Sequence, residues 1–376
     1  MYRNNLVSSD ADIKDGEVVR ILDEDGAFIA AGFYSAVSHI IVRILNRNEE
    51  EQIDEDFFRK RIRAALDYRF TTNRENISNC RLIFSEADFL PGLIADCYND
   101  ILVTQISCAG FEIRKDMIYG LIKEVLAENG IEIHGVYERN DIAARAKEGL
   151  AQYKGFTEKT EMKPSTIISE NGLKLFVDIE NGQKTGYFLD QKSNRVLIRN
   201  LAKDKKVLDC FTHTGGFALN AALGGAKEVS AVDVSKTALD AAYENACLNH
   251  LEDRMRFVQA DVFEYLDQVK PGQFDLIILD PPAFTKSRKT IMKAYNGYKR
   301  INKKAMELLR NGGYLATCSC SRYMETALFE QMLKEAANEA GVLLKQVSVT
   351  QQNSDHPILW RNEETSYLKF YIFQIV

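Results

Sequence analysis

The sequence predicts an α/β chain. Its last two hundred residues wind an open, Rossmann-like sheet with an antiparallel last strand, preceded by a small α/β domain and a small β module. Three observations predict it. Strand and helix patterns alternate between residues 206 and 340, as parallel strands with right-handed crossovers require. Acids close successive strand-like runs, at the edge where open α/β sheets hold ligands. The first 48 residues instead read as short apolar-rich strands separated by turns.

Glu17–Leu22 and Ala27–Tyr34, joined by Asp23-Glu24-Asp25-Gly26, predict a hairpin, and His39–Leu45 a third strand. Glu49–Tyr68 predicts a helix. Acids crowd its first turn, bases its later ones, and Phe58, Ile62 and Ala65 share a face. These make a first domain, 1–70. A second, 71–165, takes strands Cys80–Phe84 and Ile101–Gln105, helix Arg114–Asn129 and strand Ile131–Glu138. The third, 166–376, opens with a hairpin read as Leu173–Asp178 against Gly186–Leu189 across Asn181-Gly182. Helix Gln191–Ala202 follows. Then come strand Val207–Cys210, helix Phe217–Leu223, strand Glu228–Val232, helix Lys236–Asn249 and strands Met255–Val258 and Phe274–Leu279. Helix Ile291–Leu309, strand Tyr314–Thr317 and helix Glu325–Ala340 complete the alternation. Strands Leu343–Val349 and Tyr367–Ile375 close the chain as an antiparallel pair.

Composition narrows the function classes. With 376 residues, 45% apolar and 27% charged, the chain is neither disordered nor a disulfide-stapled miniature. Seven Cys at irregular spacing, without a CxxC pair, support neither a zinc site nor a disulfide framework; no metal is expected. The N-terminus lacks an apolar signal segment, and no run reads as a membrane span, so the expected location is cytoplasmic. A net charge of −6 argues against a uniformly basic nucleic-acid coat protein.

The cofactor signature begins at Lys206-Val207-Leu208-Asp209-Cys210, a strand running into Phe211-Thr212-His213-Thr214-Gly215-Gly216-Phe217. Gly215 and Gly216 let backbone approach a nucleotide. The next strand ends at Asp233, followed by Val234 and Ser235, where an acid accepts ribose hydroxyls. Asp261 and Val262 follow the third strand. The turn is not GxGxxG and does not seat a pyrophosphate on a helix N-terminus. An adenosine cofactor without phosphates, S-adenosylmethionine, fits better than NAD(P). His213 either contacts the cofactor, shuttles a proton or packs beside the turn.

Two further motifs lie at the same edge. Asp280-Pro281-Pro282 follows a strand, and its prolines force an abrupt turn that holds the acid toward the pocket. Thr317-Cys318-Ser319-Cys320-Ser321 ends the next strand. On an extended backbone its two thiols share a face and Ser319 takes the other. Between Asp280 and Glu307 there is no acid. The stretch carries Lys286, Arg288, Lys289, Lys293, Lys299, Arg300, Lys303 and Lys304, with Tyr295 and Tyr298 interleaved. Bases there would neutralise RNA phosphates and Tyr would stack on exposed bases.

The run Val207–Asp280 resembles class I S-adenosylmethionine-dependent methyltransferases. More closely, CFTHTGGFALNAALGGAKEVSAVDVS, GQKTGYFLDQKSNR (Gly182–Arg195) and LDPPAF (Leu279–Phe284) resemble the bacterial large-subunit rRNA methyltransferase I family, which makes 5-methylcytidine. The resemblance covers nearly the whole chain. It implies a PUA-like N-terminal module, most visible in Gly32-Phe33-Tyr34-Ser35 and Ile41-Val42-Arg43, and an rRNA partner. It also implies a homodimer, and a cofactor contact from Lys184, Thr185 and Gly186. The family begins with a basic segment before a Trp-Val-Tyr/Phe stretch. This chain starts at Met1-Tyr2-Arg3, which leaves two expectations: a PUA-like part without its first strand, or a misplaced start codon. Residues 1–70 carry ten bases against fourteen acids. The family pattern Ser-Cys-Ser selects Cys320 as nucleophile, with Asp280 on the base edge. DPPAFTKSRK also resembles enzymes that make 7-methylguanosine; these need no nucleophilic Cys, so TCSCS favours cytosine. A non-catalytic RNA-binding protein is a third possibility, opposed by the complete set Asp233, Asp261, Asp280 and Cys320.

Overall fold

The computed structural model describes residues 1–9, 12–74, 77–285 and 287–376. The chain divides into two units. The first holds Met1–Ile168, Val177–Leu189 and Ser354–Leu359. The second holds Ser169–Phe176, Asp190–Asn353 and Trp360–Val376.

The first unit opens with an antiparallel sheet of β1 (Val18–Leu22), β2 (Phe28–Tyr34) and β3 (Val42–Asn46). Gly32 is dictated by packing, because a Cβ there would lie 2.1 Å from the Arg43 carbonyl oxygen. Helix α1 (Glu55–Thr72) starts later than its acid-rich pattern implied. Asp54 is the true cap, accepting the Phe57 amide at 3.0 Å. Its buried face presents Phe57, Phe58, Ile62 and Leu66 to the core. Each such side chain contributes roughly 1.5–3 kcal/mol by leaving water.

A five-stranded sheet follows, in order β4-β5-β6-β7-β8. It comprises β4 (Asn79–Phe84), β5 (Leu93–Tyr98), β6 (Ile101–Ile106), β7 (Gly135–Arg139) and β8 (Lys154–Phe156). Helices α2 (Ala109–Glu112), α3 (Lys115–Glu128) and α4 (Ala143–Lys147) punctuate it. Strand β5 was missed because Asp96 interrupts its apolar run. Asp96 is fully buried, and both its oxygens meet Arg81, at 2.7 and 2.8 Å. Arg69 clasps Asp88 likewise, at 2.5 and 2.7 Å.

The hairpin reading is corrected. The partner of β10 (Leu173–Asp178) is β9 (Ser165–Glu170), and residues 186–188 form no strand. Two Asn-Gly pairs compete here. Asn171 and Gly172 both take positive φ, 52° and 78°, as a tight hairpin turn requires. Asn181 is not among the positive-φ residues.

The second unit is built on a seven-stranded sheet, in order β13-β12-β11-β14-β15-β17-β16. After α5 (Lys192–Leu201) come β11 (Lys206–Cys210), α6 (Gly216–Leu223), β12 (Glu228–Asp233), α7 (Lys236–Leu248) and β13 (Met255–Gln259). Then follow α8 (Val262–Gln268), β14 (Leu276–Leu279), α9 (Ile291–Leu308), β15 (Tyr314–Ser319), α10 (Thr326–Ala340), β16 (Leu344–Thr350) and β17 (Lys369–Ile375). Strands β11 to β15 are parallel, and β17 runs against both β15 and β16, as expected for the last strand. The central runs Val207-Leu208 and Leu276–Leu279 are wholly buried, because helices cover both faces. The carboxyl ends of the parallel strands therefore share one edge.

Candidate active site

The turn after β11 is strained. Phe211 and His213 take φ of 61° and 51°, and Gly215 85°. Left-handed non-glycine residues cost on the order of 1–3 kcal/mol each and cluster at functional sites. Two acids hold the turn. Asp209 Oδ2 accepts the Thr212 hydroxyl at 2.6 Å and the Ala218 amide at 3.0 Å. Asp233 Oδ2 accepts the His213 amide and its Oδ1 the Ser235 amide, both at 2.9 Å. Asp261 caps α8, accepting the Phe263 amide at 2.8 Å and the Glu264 amide at 3.2 Å. Val234 is exposed and Val262 buried.

The edge is rich in carboxylates. Burial pushes the Asp209 carboxyl up to about 7, and the charges of Asp280 and Asp233 add to the rise. Its Oδ1 is buried without a hydrogen-bond partner among the described residues. Burial also lowers the His213 imidazole below its ordinary value, favouring the neutral ring near pH 7. This donor set fits S-adenosylmethionine. The cofactor carries an ammonium and a sulfonium, which acids attract and a neutral imidazole does not repel. Gly215 fits the same requirement, since a Cβ there would sit 3.1 Å from the Ala242 Cβ on a backbone already at positive φ. Gly215→Ala is expected to cost ~1–2 kcal/mol of stability and to weaken S-adenosylhomocysteine binding about tenfold. Thermal unfolding and titration calorimetry read the two effects.

The reacting ledge lies on β14 and β15. Cys318 is fully buried, its Sγ 2.8 Å from Asp280 Oδ1 and 3.4 Å from the Leu279 carbonyl oxygen. Cys320 is half-buried, with its Sγ 4.0 Å from the Pro281 carbonyl oxygen. Ser319 turns the other way, donating to the Tyr298 hydroxyl at 3.0 Å. Both thiols thus run along Asp280-Pro281, as strand alternation implies. Burial and the adjacent Asp280 carboxylate push the Cys318 thiol well above its ordinary value, so Cys318 stays a protonated donor. Burial pushes Asp280 up to about 6; Asp190 raises it further, while Cys318, Arg195 and Gln191 oppose the rise.

Sequence reasoning overlooked two residues here. Gln191 Nε2 reaches Asp280 Oδ2 at 3.3 Å and Cys318 Sγ at 3.6 Å. Asp190 Oδ2 accepts the Tyr367 hydroxyl at 2.6 Å, and its Oδ1 is buried without a partner among the described residues. Both lie in the GYFLDQ segment, which signalled them. Just ahead of Asp190, Lys184, Thr185 and Gly186 fall in the first unit. Thr185 is buried there, donating to Asp96 Oδ2 at 2.5 Å and paired with the Tyr98 hydroxyl at 3.0 Å. His356 is also buried in the first unit, 2.8 Å from Asp355 Oδ1 and packed on Phe84.

The basic stretch needs correction. Tyr298 is fully buried and Tyr295 nearly so, in the core under α9, so neither can stack on a base. Lys299 pairs with Glu335 and Glu339, and Lys303 with Glu339. Arg300 and Lys304 pair with Asp267, and Arg300 also covers the Phe263 ring. The run is acid-free in sequence, but α8 and α10 supply its acids in space. Arg288, Lys289 and Lys293 remain exposed beyond the Asp280-Pro281-Pro282 turn. Lys286 lies outside the described residues. Among the described residues no helix is long and apolar enough to cross a membrane, and no cluster could hold a metal ion.

A sheet in which the last strand runs antiparallel beside β15, with acids closing β11 and β12 and a cation-seeking turn between them, defines an S-adenosylmethionine-dependent methyltransferase. A family model of that description matches residues 158–361, and one for a PUA-like domain matches residues 1–47. The ribosomal RNA large subunit methyltransferase I of Aeromonas salmonicida is 42% identical over 94% of this chain and 89% of its own length. The protein of the same name from Klebsiella pneumoniae is 36% identical over 100% and 94%. The chain belongs to the ribosomal RNA large subunit methyltransferase I family. In fold it is similar to a solved Streptococcus mutans protein, described as a candidate S-adenosylmethionine-dependent methyltransferase. The TM-score is 0.81 at 23% identity, over 99% of this chain and 93% of that one.

Proposed function

We propose that this chain methylates carbon 5 of a cytidine in large-subunit rRNA through a covalent adduct of Cys320. The observation that carries the reading is the ledge itself: two thiols along Asp280-Pro281, of which Cys320 alone is partly accessible. Carbon 5 of cytosine is a poor nucleophile. The Cys320 thiolate adds to carbon 6, forming a C–S bond and moving the ring π electrons onto carbon 5. Asp280 hydrogen-bonds the base edge and holds the ring over the thiol, with Gln191 and Cys318 fixing its carboxylate. Bound S-adenosylmethionine supplies the electrophilic methyl that carbon 5 takes. Loss of the carbon 5 proton then lets the C–S bond break, returning Cys320 as thiolate and restoring the ring double bond.

We assign the cofactor to Phe211, Thr212, His213, Gly215, Gly216, Asp233, Val234, Ser235, Asp261, Val262 and Asp280. Exposed Arg288 and Lys289 would meet RNA phosphates. The family relatives' name supports the rRNA substrate. The test is methyl transfer to rRNA from a strain lacking the enzyme, followed by nucleoside mass spectrometry. The expected product is 5-methylcytidine; 7-methylguanosine would overturn the reading.

A further inference from the structure

Lys369 opens β17 directly opposite Ser319 of β15. It is a lysine in an otherwise apolar strand, Lys369-Phe370-Tyr371-Ile372-Phe373, and only 5% of it is exposed. Its Nζ donates to the Ser321 carbonyl oxygen at 2.8 Å, on the residue that follows Cys320. No described carboxylate lies within 4 Å of it, whereas Arg69, Arg81 and Arg195, also deeply buried, each hold a carboxylate. The ionisable groups that act on it are Cys320 and Cys318 of the β15 end and Glu325 before α10. Burying a cation without a counter-ion costs several kcal/mol, so its presence calls for a function.

We propose that Lys369 is a positioning residue that supplies counter-charge to the Cys320 thiolate. The thiol gives its proton to solvent, the S–H electrons stay on sulfur, and the resulting anion is held by the ammonium across the strand end. A cation beside a thiol is an established route to a reactive cysteine. Burial lowers the Lys369 ammonium to about 8, and each of the two thiols, when ionised, raises it again. The coupling is reciprocal, so the cation that a thiolate stabilises stabilises the thiolate in turn.

The inference rests on Cys320 as nucleophile, and its test is read separately from activity. The rate of Cys320 carboxamidomethylation against pH, followed by peptide mass spectrometry, gives the thiol midpoint whichever base the enzyme methylates. In Lys369→Met the midpoint is expected to rise by about one pH unit or more, and in Lys369→Arg to stay near wild type. S-adenosylhomocysteine affinity should be unchanged in both. An unchanged midpoint in Lys369→Met would overturn the proposal. Should that variant fail to fold, the thiolate absorbance of wild type minus Cys320→Ser decides. A midpoint below the ordinary thiol value of about 8.5 supports the proposal, and one at or above it overturns it. Failure of the cytosine reading would appear instead in the nucleoside analysis.

Discussion

Cys320→Ala is expected to abolish methyl transfer, by about 10⁴-fold or more, while leaving cofactor binding and folding intact. Removing a nucleophile deletes the covalent route entirely rather than weakening it. The half-buried position of Cys320 makes the loss in packing small. Cys318→Ala is the control. It removes a buried thiol that donates to Asp280, so it should cost roughly 1 kcal/mol of stability and keep activity within about tenfold of wild type. It should also move the acid limb of the pH profile upward, because the Cys318 hydrogen bond holds the Asp280 carboxyl down. Single-turnover methylation of rRNA by the two variants checks the pair. An essential Cys318 with a dispensable Cys320 would reverse the assignment.

Asp280→Asn is expected to lower the rate by about 10²–10⁴-fold, the usual range for a side chain that hydrogen-bonds a reacting group. It should also stabilise the protein above neutral pH. The sign follows from the carboxyl being pushed up to about 6 in the folded chain. An unfolded Asp titrates near 3.9. Between about pH 4 and 6 the folded state holds a proton that the unfolded chain has lost, so stability falls as pH rises. Above about 6 the whole penalty, ~3 kcal/mol, is present. Asparagine carries no such penalty. Thermal unfolding should show the variant gaining on wild type from pH 4.5 to pH 8. The opposite trend would mean that Asp280 is stabilising as an anion.

The catalytic sheet was legible because four of the five parallel strands are short runs closed by a chemically distinctive residue: Asp209, Asp233, Asp280, Cys318. What escaped the sequence depends on partners far along the chain. Asp96 hid β5, since nothing near it announces Arg81. Lys299 and Arg300 read as a phosphate-binding face, yet Glu335, Glu339 and Asp267 neutralise them across helix contacts. Tyr298 resembles a stacking platform because charged residues flank it in sequence, but its helical companions Ala294, Ile301 and Ala305 are buried and place it inside. The Asn171-Gly172 and Asn181-Gly182 pairs look alike in sequence, and only the pairing of β9 with β10 separates them. Lys369 stands out in sequence as a single base in an apolar strand.

The interior place of β17 sets an order on biosynthesis. Strand β16 reaches the sheet only through β17, which the ribosome makes after it. Until β17 emerges, the edge of β15 beside the thiols stays open, with its amides and carbonyls available to a foreign strand. The nascent chain can therefore carry the cofactor turn, the Asp280 ledge and both cysteines without Lys369 in place. Catalytic competence would arrive in one late step, with the strand that also covers the β15 edge.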